Sequence, residues 1–403
     1  MNVIVGAGVA ALRAAEGMRE GGYDGPIIMI SGEQELPYEK PPLSKSFLLG
    51  TEGPESVRLK PAADYDDLGV KLELGTRVVG LEIPERRLLF EDGRKRTFDQ
   101  LLVATGAAPR WPQIAGVALD GVVALRTLQD AVSLRERLER SHRLLVVGAG
   151  LVGLEVAATA RRLGKEVVVV EKAPGPLARL LGPHAAAAKP LVAIHREHGA
   201  EIRTGTSVVA FLGQSRVEGA VLDTGTVVAC DLVLLALGVE PAVDWLRGSG
   251  IVLADGIPVD GRGETEIPGI FAAGDVARTF HHRFGRSLRL ESYGNAWAQG
   301  YEAGRAMAGL QPAGESALPV ASTEQYGHRM QVVGLPDAGD RVVVRGAMEE
   351  ASFVTFFLAG DRLVGAFGMN RPRDMLQARK AIAAQTPVDP RRLAQDGEPL
   401  AAA

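Results

Sequence analysis

The sequence predicts an α/β fold of two strand–turn–helix units followed by a smaller α+β region, and three observations carry it. A glycine-rich turn, Gly6-Ala7-Gly8-Val9-Ala10-Ala11, directly follows the apolar run Val3-Ile4-Val5. A second turn, Gly148-Ala149-Gly150-Leu151-Val152-Gly153, directly follows Leu144-Leu145-Val146-Val147. From about Leu318 the pattern changes to short β-rich runs closed by one helical stretch. Two such turns, each between a strand and a helix, mark two Rossmann-like dinucleotide-binding units. Two dinucleotides in one chain imply that electrons pass between them.

Element by element, Val3–Val5 reads as a strand and Val9 to about Glu20 as a helix. Ile27–Ile30 is a second strand, bounded by Gly-Pro and Ser-Gly. The stretch Leu36-Pro37-Tyr38-Glu39-Lys40-Pro41-Pro42-Leu43-Ser44-Lys45 follows; its prolines argue against a helix or a central strand, so a stiff surface loop is expected. Leu101–Ala104 is a buried strand running into Thr105-Gly106. The second unit repeats the pattern, with a strand over Leu144–Val147, a helix from Leu151 to Leu163 ended by Gly164, and a strand over Val167–Val170 ended by Glu171. Leu232–Leu237, followed by Gly238, and Ile270–Ala273, followed by Gly274-Asp275, are further apolar strands. An Ala-rich helix is expected from about Tyr293 to Ala308. Beyond Leu318, Val342–Val344, Phe353–Leu358 and Leu363–Phe367 read as antiparallel strands and Arg373–Ala384 as a closing helix. The Ala-rich tail after Pro399 is expected to fray.

In each turn the first glycine allows the bend and the second lets backbone approach a pyrophosphate. The third position brings helix close to strand; Gly153 supplies it in the second turn and Ala11 in the first. The pyrophosphate rests on the helix N-terminus, at Gly8, Ala10 and Ala11 or at Gly150, Leu151 and Val152. Glu171 falls about 20 residues on, where an acid hydrogen-bonds a ribose 2′-OH and repels a 2′-phosphate, so NADH is preferred over NADPH. Lys172 follows it and softens that preference. In the first unit the strand ends Ile30-Ser31-Gly32-Glu33, so Gly32 takes the acidic position and Glu33 reaches the ribose from one residue later, unless backbone and water replace it.

The chain has 403 residues, of which 46% are hydrophobic and 23% charged, enough for two or three ordinary globular domains. A net charge of −4 gives no overall reason to expect nucleic-acid binding. No apolar stretch is long enough to span a bilayer, and no secretory leader is expected ahead of the first strand. The one cysteine, Cys230, lies in an apolar-flanked stretch and is expected to be a buried thiol in a reducing, cytoplasmic setting. No metal site is expected.

These residues place the chain in a recognisable group. It resembles the FAD-dependent, NADH-using ferredoxin reductases that serve oxygenase systems, with a glutathione-reductase-like architecture. The resemblance spans essentially the whole chain. It is carried by Pro37–Lys45, Ala104-Thr105-Gly106, Gly148–Ala158, Gly274–Ala277, Leu290–Ala296 and Gly327–Gln331. It implies a discontinuous FAD domain at 1–113 and 244–317, an NAD domain at 114–243 and a C-terminal α+β domain at 318–403. It further implies that Asp275 holds the FAD ribitol, that Arg126 contacts FAD and that Val78 offers backbone near the adenine. Tyr293 begins a helix aimed at the flavin pyrimidine edge. Lys45 matches a lysine under the isoalloxazine and Glu155 the glutamate that pairs with it, the two catalytic positions. A lysine and a glutamate beside a semi-buried ring must be paired, since either charge alone is costly to desolvate.

The implied reaction is hydride transfer from NADH to FAD, then single electrons to an iron–sulfur ferredoxin feeding a ring-hydroxylating dioxygenase or haem monooxygenase. Rubredoxin reduction, another NADH-dependent flavin reductase activity, and a redox-sensing role like that of apoptosis-inducing factor are the alternatives. A disulfide reductase would need a redox cysteine beside the flavin, where this chain has Leu43-Ser44-Lys45. The partner is expected to be acidic and transient, docking on Arg283, Arg286, Arg289, Arg371 or Arg373, with the reductase a monomer or weak dimer. Relatives commonly carry a Trp where Ser322 stands, which opens the flavin edge here; Trp297 is expected to pack in the core.

Overall fold

The computed structural model describes residues 1–311, 317–398 and 400, and these form two compact units. The first comprises Met1–Pro41, Pro54–Ala108 and Val239–Ala317; the second comprises Pro42–Gly53, Pro109–Gly238 and Leu318–Ala403. The tail expected to fray lies outside the described residues, apart from Leu400.

The first unit is built on a five-stranded parallel sheet in the order Ile270–Ala272, Gln100–Val103, Asn2–Val5, Ile27–Ile30, Val70–Glu73. Asn2–Val5, Ile27–Ile30 and Ile270–Ala272 are buried at every position, as parallel strands covered on both faces must be. The helix Val9–Glu20 packs tightly on the helix Tyr293–Met307. A Cβ on Gly300 or Gly304 would reach within 2.3 and 2.0 Å of the Ala10 and Ala14 carbonyl oxygens, so these glycines set the approach. This close seam is lined by Ala296, Ala303 and Ala306, which turns Trp297 outward. The core position expected of Trp297 is therefore wrong: it is 41% exposed, with the Arg13 guanidinium 4.4 Å over its ring.

The second unit repeats the arrangement, with a parallel sheet ordered Ala200–Thr204, Glu166–Glu171, Arg143–Val147, Leu232–Leu235, Val122–Ala124. Helix Leu151–Arg162 packs on it, and its Leu154, Val156, Ala157 and Ala160 enter a core shared with Leu144, Val146 and Val169. Helix Leu128–Arg140 was not legible from the sequence; it starts from a capping box in which Thr127 Oγ1 accepts from Asp130 N–H and Asp130 accepts from Thr127 N–H. Cys230 is 1% exposed, and burial pushes its thiol up to about 12.

The C-terminal part of this unit is a five-stranded antiparallel sheet ordered Val320–Gln325, His328–Gly334, Arg362–Met369, Ser352–Ala359, Arg341–Ala347, with helix Pro372–Ala384 against it. The three runs read as strands lie inside the last three of these, each longer than its apolar core. The hairpin Val320–Gln325/His328–Gly334 carries no strand signal in the sequence because its first strand, VASTEQ, is mostly polar.

Residues 36–45 are not simply a surface loop. Pro41–Ser44 makes a 3₁₀ turn, Ser46–Leu49 a short helix, and Pro37, Tyr38, Leu43 and Ser44 are buried. A proline is tolerated at the start of such a turn, where its missing N–H has no partner to lose. Residues 42–53 pack with the second unit because Leu48 joins its core and Thr159 Oγ1 donates to the Ser44 carbonyl at 2.9 Å.

Candidate functional site

Both glycine turns are dictated by contact. Gly6 has φ +112°, and a Cβ there would lie 2.1 Å from the Ala104 carbonyl oxygen. Gly148 has φ +110°, and its Cβ would lie 2.3 Å from the Ala236 carbonyl oxygen. Each turn thus presses on the strand end beside it, Ala104-Thr105-Gly106 in the first unit and Ala236-Leu237-Gly238 in the second. Thr105 Oγ1 donates to the Ala242 carbonyl at 2.8 Å, fixing the first of these ends.

The second glycine of each turn behaves differently. Gly8 and Gly150 are the helix N-caps, and a Cβ on either would meet nothing within 4 Å. Neither helix has a side-chain cap or an acid in its first turn. Some other helices are capped by side chains, Leu128–Arg140 by Thr127 and Tyr293–Met307 by Ser292, which accepts from Asn295 N–H at 3.3 Å, while Lys189–Glu197 and Pro372–Ala384 are not. Two uncapped helix ends beside empty space are fitted to receive a phosphate oxygen each. The third positions differ: a Cβ on Gly153 would fall 2.2 Å from the Gly148 carbonyl oxygen, whereas Ala11 is accommodated and fully buried.

In the first unit Asp275 follows Gly274, whose φ of +82° sets it at the end of strand Ile270–Ala272. A Cβ on Gly274 would be 3.2 Å from Ala10 Cβ, so the first turn and Asp275 belong to one locality. Glu33 is half-buried and its Oε2 accepts from the Tyr38 hydroxyl at 2.6 Å, with Lys40 Nζ 4.0 Å away. Val78 opens the strand Val78–Glu82 and is buried. The Tyr293 hydroxyl donates to Glu39 Oε1 at 3.3 Å; burial, then the Glu39 charge, pushes it up to about 12.

In the second unit Glu171 reaches back to the turn. Its Oε2 accepts from Ala149 N–H at 2.7 Å and its Oε1 from Ala173 N–H at 2.7 Å. The carboxylate is thereby fixed at the edge of the open helix end. Gly238, at φ +84°, leaves room for Arg179, whose Nη1 lies 2.9 Å from where a Cβ would be. Arg126 precedes the capped helix Leu128–Arg140, its N–H donating to Asp130 Oδ2 at 3.0 Å. Lys45 Nζ lies 2.9 Å from Glu155 Oε2, and Glu155 is 6% exposed. Glu155 also accepts from Ser44 Oγ on Oε2 and from Thr323 Oγ1 on Oε1, the latter at 2.6 Å.

The chain belongs to the pyridine nucleotide-disulphide oxidoreductase family. That family's model matches residues 2–300, and the reductase C-terminal model matches residues 323–403. Membership makes the chain a flavin- and NAD(H)-binding oxidoreductase. It is 34% identical to putidaredoxin reductase of Pseudomonas putida, over 99% of this chain and 95% of the relative. It is 39% identical to the ferredoxin–NAD(+) reductase component of the anthranilate 1,2-dioxygenase system of Burkholderia cepacia, over 97% and 96%. Its fold superposes on the reductase in the covalent putidaredoxin reductase–putidaredoxin complex with a TM-score of 0.93 at 33% identity, covering 99% and 96% of the two chains.

Two of the candidate docking cations are already committed. The Arg289 side chain is 1% exposed and pairs with Asp255 and Glu291, so it presents no charge to a partner. Arg371 pairs with Asp396 at 2.9 Å and holds Ser352. Arg286 and Arg373 are exposed. Ser322 is also exposed, on the strand face opposite Thr323 and Gln325. The sequence did not point to Ser44, Thr323 or Gln325; the one available signal was the period-two spacing of Thr323 and Gln325 in a strand that was not itself foreseen. Among the described residues no helix is long and apolar enough to cross a membrane, and no group of His, Cys, Asp or Glu could hold a metal.

Proposed function

We propose that the chain is the ferredoxin–NAD(+) reductase component of an oxygenase system, taking hydride from NADH and delivering single electrons to a small iron–sulfur ferredoxin. The observation that carries this reading is a pair of open, uncapped glycine turns in a chain whose only cysteine is buried. One thiol, protonated and enclosed, cannot form the redox disulfide that names the family. Electrons must therefore leave by another carrier, and curated relatives of matching length reduce ferredoxins.

FAD is assigned to residues 1–113 and 244–317, NADH to 114–243, with 318–403 as the C-terminal domain. FAD accepts two electrons together and releases them singly. Gly6, Gly8, Ala10 and Ala11 cradle its pyrophosphate; Glu33, Val78, Ala104, Thr105, Gly106, Arg126, Asp275 and Tyr293 complete its binding. Gly148, Gly150, Leu151, Val152 and Gly153 cradle the NADH pyrophosphate, with Gly238 at the neighbouring strand end. Glu171, tied to Ala149 N–H, accepts from a ribose hydroxyl and rejects a 2′-phosphate. Lys45 supplies positive charge toward the flavin as hydride arrives, and Glu155 holds that charge in place. The lone buried thiol suits a reducing compartment, and we place the protein in the cytoplasm.

The test is NADH-driven reduction of a panel of purified ferredoxins, read through cytochrome c, with NADPH as control. Flavin released on denaturation should be FAD, one per chain, and NADH should outperform NADPH. Absence of bound FAD, or NADH oxidation that reaches no ferredoxin, overturns the proposal.

A further inference from the structure

Behind the Lys45–Glu155 pair runs a line of buried polar side chains. Thr323 Oγ1, which donates to Glu155 Oε1 at 2.6 Å, itself accepts from Gln325 Nε2 at 3.2 Å. Gln325 Oε1 lies 2.8 Å from His195 Nε2. Thr323 and Gln325 occupy the inward face of strand Val320–Gln325; His195 lies on helix Lys189–Glu197 and is 0% exposed. Tyr326 packs edge-on to the imidazole at 5.1 Å.

The chemistry gives this line a direction. A carboxamide oxygen can only accept, so His195 Nε2 carries the proton and donates to Gln325. His195 Nδ1 is then a bare acceptor, consistent with its lack of a partner. The flipped amide would need the proton on Nδ1 and leave a buried N–H unpartnered, which is the costlier arrangement. The Gln325 amide donates to Thr323, whose hydroxyl proton is free for Glu155. Every donor thus points at the carboxylate. Oε1 is taken by Thr323, and Oε2 is left to Ser44 and Lys45.

We propose that Thr323, backed by Gln325 and His195, is a positioning residue: it occupies one oxygen of Glu155 and so limits how fully Glu155 neutralises Lys45. This rests on the proposed action of Lys45 on the flavin. Without the Thr323 hydroxyl the carboxylate turns both oxygens to Lys45 and quenches more of its charge. Reduced flavin then gains less from that charge.

The experiment uses the flavin-loaded protein and reads the flavin midpoint potential, its visible spectrum, and single-turnover reduction by NADH. Thr323→Val should shift the potential to more negative values and slow reduction about tenfold, equivalent to about 1.4 kcal/mol. Thr323→Ser, which restores the hydroxyl, should restore both. Gln325→Leu keeps that hydroxyl but removes the donor behind it, and should move both readings the same way by a smaller factor. If Thr323→Val and Gln325→Leu keep wild-type potential and rate, the proposal is overturned. It is equally overturned if Thr323→Ser behaves as Thr323→Val does. Should Thr323→Val not fold, Gln325→Leu decides alone. Lys45→Met separates the two readings. If it leaves rate and potential unchanged, the reading of Lys45 itself fails; if it moves both and the Thr323 and Gln325 variants do not, only the positioning role falls.

Discussion

The two glycine turns share their backbone and differ in their finish. Both press a left-handed first glycine on a strand-end carbonyl, and both leave the second glycine open at an uncapped helix. The second turn is then closed by Gly153 and overseen by Glu171, whose carboxylate is bonded to the turn itself. The first is closed by Ala11, and its acid, Glu33, is bonded away to Tyr38. The cradle for a phosphate is therefore generic backbone physics. On the proposed reading, discrimination between nucleotides rests on one side chain, Glu171, and what tethers it.

The harshest way to break the comparison is to remove what the turns share. Gly6→Val or Gly148→Val places a Cβ against a backbone oxygen at positive φ. Strain from the backbone conformation alone is about 1–3 kcal/mol, before the clash is counted. Loss of soluble flavin-loaded protein is expected for Gly6→Val, and a collapse of the melting temperature for Gly148→Val; a normal melt for both would refute the shared geometry.

A gentler change separates stability from binding. Gly8→Asp and Gly150→Asp enter open space and supply the missing side-chain cap, worth only about a few tenths of a kcal/mol over glycine. The cofactor-free protein should melt higher while affinity drops roughly 100-fold, or about 2.7 kcal/mol, for flavin in one case and NADH in the other. Calorimetry beside NADH titration checks this; unchanged affinity would mean that no phosphate sits there.

Glu171→Gln sharpens the difference between the turns. Discrimination against NADPH should fall about tenfold, near 1.4 kcal/mol, seen in the ratio of kcat/KM values. The corresponding Glu33→Gln should leave that ratio where it was.

Acid provides the smallest probe. Burial holds His195 of the second unit down at about 4, from an ordinary 6.5, with the Gln325 bond opposing and His198 adding slightly. The unfolded chain binds the proton first, so this contribution is complete above pH 6.5 and is lost as pH falls toward 4. About 1 kcal/mol should disappear between pH 6.5 and 5.5. His195→Gln should flatten the dependence of melting on pH in that window; an identical slope would mean that His195 is not held neutral.

Much of the fold was legible because parallel strands covered on both faces are unbroken apolar runs. Val3–Val5, Leu144–Val147 and Leu232–Leu235 announce themselves in this way. Helix Leu128–Arg140 and the hairpin at Val320 were not, since one is a mostly polar helix held by its cap and the other a polar strand. Among the site residues, the turns, Glu171 and the Lys45–Glu155 pair could be read, but the Ser44 and Thr323 hydroxyls on Glu155 and the Ala149 N–H on Glu171 could not. Arg289 and Arg371 looked like free cations because charge is visible in a sequence and pairing is not.

The sequence by itself determined the two glycine turns, their flanking strands and the absence of a second cysteine, because these depend on local backbone geometry and on simple counting. Only the tertiary structure decided that Ser44, Thr323 and Gln325 join the Lys45–Glu155 pair in one hydrogen-bonded line. Those residues are brought together from three distant stretches by burial, and a hydrogen bond between such stretches leaves no mark on the spacing of either partner.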